Sequence, residues 1–172
     1  MLSQKVEDAL NQQIAMEGNA SQKYLAMANW CDTKALSGCA QFFYKHAEEE
    51  RMHMLKLLHY VNDAGGNAII PAVDQPSANF DDVQVVFETA YSHEQKVSQS
   101  IDDLVELSET EKDKQTANFL QWYVDEQHEE EALYRTLIDR IKLIGLQGRG
   151  LYFIDNEVAT ISAANAAAEA VK

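Results

Sequence analysis

Glu17, Glu50, Glu94 and Glu130 are carboxylates placed where carboxylates are costly. Each falls in the apolar stripe of a different helix expected from hydrophobic spacing. An unpaired buried carboxylate costs roughly several kcal/mol. No Lys or Arg lies on these stripes, but His53 does, three residues after Glu50. Glu50-x-x-His53 puts a carboxylate and an imidazole one helical turn apart on one face, where both reach one ion. Glu-x-x-His is common by chance. Its weight comes from Glu17, Glu94 and the pair Gln127/Glu130, which come from the other three helices near the middle of each. Two divalent ions would balance the four negative charges. Oxygen-rich ligands with a single imidazole suit iron or manganese. A structural zinc site is disfavoured, because Cys31 and Cys39 lack ligand spacing.

Other residues near this set admit two readings. Glu49, Glu126 and Glu129 flank Glu50 and Glu130 in the runs AEEER and DEQHEEE, as a second cation site or as a solvated acidic face. Glu48 reads as solvated. Tyr24, two turns beyond Glu17, is either a donor of an electron or hydrogen bond to the centre or a packed core tyrosine. Gln127 alone would read as a bundle hydrogen-bonder. Trp122 reads as structural, and His46 and His128 as structural or exposed.

The elements that must position these residues are long helices. The chain has 172 residues, 46% hydrophobic, with seven Gly and two Pro. That composition describes one all-α domain with a sizeable core. The stripe Val6, Leu10, Ile14, Glu17, Tyr24, Ala28, Cys31 predicts a first helix over Gln4 to Asp32, with Ser3 as cap. Cys39, Phe43, His46, Glu50, His53, Leu57 and Val61 predict a second, after a break at Ser37-Gly38 and ending at Ala64-Gly65-Gly66. A third is expected over Phe80 to Leu107. A fourth is expected up to Ile144, opened by a capping-box-like Thr110 and Asp113. A short fifth fits Phe153 to Ser162, and the Ala-rich run 163–172 reads as a tail that frays.

Between the second and third helices lie fifteen residues without helical period, Gly65 to Asn79. A helix of about 26 residues is about 40 Å long, and fifteen extended residues reach about 50 Å. The segment can therefore travel the length of a bundle and leave the second and third helices parallel. The expected fold is a four-helix bundle with one long crossover and an appended short helix.

Net charge is −14, which makes nucleic acid and anionic membrane poor partners and cations good ones. The two cysteines read as buried free thiols in a reducing compartment. No signal-peptide pattern or membrane span is present, so a cytoplasmic location is expected.

With these residues in place, the chain resembles the prokaryotic non-haem ferritins from Met1 to about Ser162. The segments that carry the likeness are KHAEEERMH (45–53), FLQWYVDEQHEEE (119–131) and GLYFIDNE (150–157). The resemblance implies a ferritin-like di-iron domain over 1–162 with a tail over 163–172. It implies a ferroxidase that oxidises Fe(II) with O2 or peroxide and stores ferric mineral in a hollow homo-oligomeric shell of twenty-four chains. It implies that Glu17, Glu50 and His53 form a first iron site, with Glu50 bridging. Glu94 with Glu130 or Gln127 then forms a second, and Glu49, Glu126, Glu129 and Glu130 a third. Tyr24 matches the tyrosine beside the centre, and the fifth helix surrounds the fourfold axes.

Departures from the family pattern are also visible. Gln127-x-x-Glu130 replaces the second Glu-x-x-His of bacterioferritins, and Arg51 stands where their haem-binding methionine would be, so haem is not expected. Ala117 and Leu120 match positions that are acidic in the threefold pores of animal ferritins. Gly18 and Asn19 replace bulkier residues, which would loosen packing beside the centre or widen access to it. Two rivals share the bundle: a di-iron peroxidase or oxygenase, and a non-catalytic shell or interaction protein. The first would need an organic-substrate pocket and a second Glu-x-x-His. The second would need the centre to be inactive.

Overall fold

The computed structural model describes residues 2–169, with side chains up to residue 167. Five helices account for most of it, in the order α1 Gln4–Thr33, α2 Ser37–Asp63, α3 Val83–Thr110, α4 Lys114–Ile144 and α5 Gly150–Glu169; no strand occurs among the described residues. Their starts follow local chemistry. Ser3 Oγ accepts from Val6 N at 3.4 Å and Asp82 Oδ1 from Val85 N at 2.9 Å, each satisfying an orphan N–H of a first turn. The fourth helix starts later than expected. Asp113 is its cap, accepting from Thr116 N at 3.1 Å, while Thr110 is the last residue of α3.

The fifth helix is twice the length expected from its apolar spacing. It starts at Gly150 and continues without a break through Ala163–Ala167 to Glu169. Alanine is the strongest helix former, and this run needs no apolar partner to continue a helix already begun. Residues 170–172 of the expected tail lie outside the described residues, as does Met1.

Side-chain bonds between helices give the topology. Ser21 reaches Ala47 O and Tyr44 reaches Asp32, so α1 and α2 run antiparallel. Ser100 reaches Gln13 and Tyr24 reaches Glu94, so α1 and α3 are antiparallel too. It follows that α2 and α3 are parallel. The crossover that this requires lies along α1. Asn11 holds Asn67 O and Ile69 N, Asn19 accepts from Asp74 N at 3.0 Å, and Phe80 reaches Trp30. Gly18 lets it close: a Cβ there would stand 3.1 Å from Met54 Sδ and 3.4 Å from Pro71 Cγ. Gly18 thus makes room for the crossover and Asn19 fastens it.

The apolar core is divided in two. One cluster, around Tyr24, Phe42, Phe43, Phe87 and Tyr134, continues into α5 through Ile154 and Val158. The other gathers Leu10, Ile14, Leu57, Ile101 and Leu120 at the opposite end. Leu120 is fully buried there, so it lines no pore. Between the clusters lies a polar layer.

Candidate metal centre

Glu17, Glu50, His53, Glu94, Gln127 and Glu130 make up that layer, each at most 8% exposed. One helical turn separates Glu50 from His53 on α2, and α1 presents Glu17 to both. One ligand atom from each of Glu17, Glu50 and His53 lies within 4.8 Å of the other two. His53 Nδ1 is 3.7 Å from Glu50 Oε2. Tyr123, from α4, donates its hydroxyl to His53 O at 2.8 Å and ties the two helices at this level. Glu17 Oε1 accepts from Gln13 Nε2 at 2.7 Å, whereas Glu17 Oε2 is buried with no partner. An orphaned carboxyl oxygen facing two other ligands is the feature that a cation would satisfy.

Glu94 extends the layer from α3. Its Oε2 accepts from Gln127 Nε2 at 3.0 Å, and its Oε1 accepts the Tyr24 hydroxyl. Tyr24 is wholly buried, stacked on Tyr134 at 6.5 Å. The tyrosine and the glutamine are therefore both anchored on one carboxylate.

Glu130 lies beside His46, which the sequence alone marks only as structural or exposed. His46, Glu49 and Glu130 offer ligand atoms within 4.8 Å of one another. His46 Nδ1 is 2.9 Å from Phe42 O, one turn back, and donates to it. Its Nε2 stands 3.3 Å from Glu130 Oε2. In a neutral ring with hydrogen on Nδ1, Nε2 would face the carboxylate with a lone pair. That pairing needs a proton or a cation in between, which is the usual setting of a metal-binding histidine. The signal was present: His46 sits in the α2 stripe seven residues before His53. Glu126 is half-buried and Glu129 exposed, and neither joins the two groups of three. Glu48 and His128 are exposed, as expected.

The electrostatics follow from too much negative charge in too little water. Burial, then repulsion from Glu50, holds the Glu17 carboxyl well above its ordinary range. Burial and Glu94 do the same to Glu50. Burial and Glu130 push Glu94 up to about 7. Glu130 is the exception: burial raises it, but His46 beside it outweighs that and leaves it lowered. Burial works against a charged His46, yet Glu130 and Glu49 bring it up to about 9. Without metal, the layer keeps itself near neutrality with protons. A cation would take their place.

Cys31 and Cys39 are buried free thiols, with Cys31 pushed up to about 12 by burial. They take no part in the layer.

Comparisons with known proteins agree with this geometry. The ferritin-like domain model matches residues 7–144. A bacterial non-heme ferritin of Campylobacter jejuni is 47% identical over 162 residues, covering 94% of this chain and 97% of the relative. One from Escherichia coli is 41% identical over 165 residues, covering 96% and 100%. Among solved structures, an open pore ferritin from Archaeoglobus fulgidus superposes with a TM-score of 0.89 at 39% identity, covering 92% of this chain and 98% of that one.

Proposed function

We propose, from the premise that this chain belongs to the ferritin family, that it is an iron-storage ferroxidase with its reaction centre in the buried polar layer. The observation that carries this is the convergence of four carboxylates and His53 from four helices, with Glu17 Oε2 unpartnered among them. Iron is the substrate and the cargo. Glu17, Glu50 and His53 hold one ferrous ion, with His53 its nitrogen ligand. Glu94 and Glu130, positioned by Gln127, Tyr24 and His46, hold the other, and Glu50 spans the two. Each ferrous ion gives up one electron. Dioxygen takes both, with two protons, and leaves as hydrogen peroxide; peroxide as oxidant takes two electrons and two protons to give water. The protons held by the layer before iron arrives are released on binding. A hard anionic oxygen shell favours the ferric product. Tyr24, which donates its hydroxyl to Glu94, holds that carboxylate in position for the second ion.

Glu49, Glu126 and Glu129 with Glu130 are the third iron site in this reading, and His46 supports it. Residues 1–162 carry the chemistry. No helix among the described residues is long and apolar enough to cross a membrane, and we place the protein in the cytoplasm. As a ferritin the chain forms a multimeric shell. We assign it twenty-four identical copies.

Storage is tested by loading the metal-free protein aerobically with ferrous iron in large excess, then sizing it. The reading expects ferric iron to co-elute with a large soluble particle. Iron that precipitates as it does without protein would overturn it.

A further inference from the structure

His46 stands on the flank of the carboxylate layer, and the iron pair does not account for it. The residue is 3% exposed, and its Nδ1 donates to Phe42 O at 2.9 Å. In a neutral ring this leaves Nε2 with a lone pair. That nitrogen faces Glu130 Oε2 at 3.3 Å, and both atoms are buried without a hydrogen-bond partner. Two buried polar atoms set against each other and left unpaired call for something between them.

Their separation says what fits. A charge-assisted N–H···O bond is about 2.7–2.9 Å long, shorter than this gap. Bonds of about 2.0–2.2 Å from one ion to a nitrogen and an oxygen set those atoms about 3.3 Å apart at a tetrahedral angle. Glu49 supplies a third ligand. One ligand atom from each of His46, Glu49 and Glu130 lies within 4.8 Å of the other two. Lys45 holds Glu49 Oε1 at 3.0 Å, and Glu49 Oε2 stands 3.7 Å from His46 Nδ1. The Glu49 side chain is 28% exposed, so the cluster opens to the surface at that residue. Two carboxylates and a neutral imidazole balance the charge of one divalent ion. That donor set suits zinc and ferrous ions alike.

We propose that His46, Glu49 and Glu130 form a binding site for one divalent first-row metal ion of the zinc and ferrous class, with His46 Nε2 as its nitrogen ligand. The site shares Glu49 and Glu130 with the all-oxygen third iron site assigned above, but it requires neither Glu126 nor Glu129. It deepens that part of the proposed function and rests on a third ion being held there, not on the oxidation chemistry. Glu130 also serves the second ferrous ion of the pair, so one side chain joins the two positions.

The test uses zinc, which is not oxidised, on the assembled, metal-free protein. Crystals soaked in zinc chloride are measured on both sides of the zinc absorption edge. The proposal expects an anomalous peak bonded to His46 Nε2, Glu49 and Glu130, besides zinc at Glu17, Glu50 and His53. In calorimetric titrations, His46→Gln should lose one zinc per chain, or bind it at least about tenfold more weakly. Glu126→Gln/Glu129→Gln should keep that zinc. Sizing and circular dichroism check that His46→Gln assembles; if it does not, the peak in the parent crystals decides alone. A peak on Glu49, Glu126 and Glu129 with His46 outside bonding distance overturns the site. So does zinc at the pair position alone, which leaves the ferroxidase reading untouched. Zinc at His46 with none at Glu17, Glu50 and His53 sinks the pair and leaves this site standing. No zinc at either position overturns both.

Discussion

Glu50 is where function and stability oppose each other. It is buried with Glu17 on one side, while Glu94 and Glu130 bear on its charge. Replacing it with Ala removes the ligand common to both iron positions. Rapid ferrous oxidation should fall at least about a hundredfold in stopped-flow absorbance. Replacing it with Gln keeps the shape and removes a source of repulsion. Metal-free Glu50→Gln should therefore be more stable than the metal-free parent at pH 8 by about 1–4 kcal/mol, and unfold at a higher temperature. A scanning calorimeter decides this, and a less stable variant would show Glu50 to be a structural residue. The glutamates were legible in the sequence because four polar residues interrupt four apolar stripes at one depth. His46 interrupts a stripe in the same way, but an isolated histidine there has no cost that demands explanation. Only the 3.3 Å approach of Glu130 gives it a role.

Among the elements, α2 is the one that depends on another. Its N-cap, Leu36, has no side-chain hydrogen bond to give. Asp155 of α5 supplies it, accepting from Cys39 N at 2.8 Å and from Ser37 Oγ at 3.5 Å. Gly38 permits the close crossing, since a Cβ there would lie 2.2 Å from Asp155 O. Asp155→Ala should cost about 1 kcal/mol, or about 2–4 °C in the unfolding midpoint for a chain this long. Thermal unfolding by circular dichroism checks it; an unchanged midpoint would mean the cap is redundant. Helix starts set by neighbours, such as Ser3 before α1, were readable from the sequence. The start of α2 was readable only as a break, because its capping group lies 116 residues away. The full length of the fifth helix is not legible in apolar periodicity, because an alanine run has none.

At the scale of the whole molecule, the crossover was legible from length alone, because fifteen residues suffice to span a bundle. The assembly was not legible in that way. Leu143, Leu151, Tyr152 and Phe153 lie exposed at the junction of α4 and α5, a large apolar surface for one chain. In a multimeric shell, packing of this surface against neighbouring copies would account for it. Phe153→Asp should shift the elution from shell to smaller species; an unchanged shell would place the interface elsewhere. The bundle's stability should also vary with pH in the absence of metal. Glu17, Glu50 and Glu94 have carboxyls raised above their ordinary value of 4.5 by burial and mutual repulsion. They are tolerated when protonated and strained when ionised. The contribution of these three groups to stability is therefore greatest below their ordinary value of 4.5. It is lost as pH rises above 4.5 and through about 7, where Glu94 ionises, by about 1.4 kcal/mol per unit for each group. Adding a redox-inert divalent ion should abolish that decline, which urea unfolding across pH would register. A flat profile without metal would mean that the carboxylates are already neutralised by other means.

The most direct test of the centre is an aerobic ferrous titration of the metal-free protein, following ferric absorbance from milliseconds to seconds. A carboxylate layer that binds and oxidises an iron pair predicts a fast phase saturating near about two or three irons per chain, followed by slower growth. No fast phase above the protein-free control would contradict it, and would leave the layer a set of buried acids held neutral by protons.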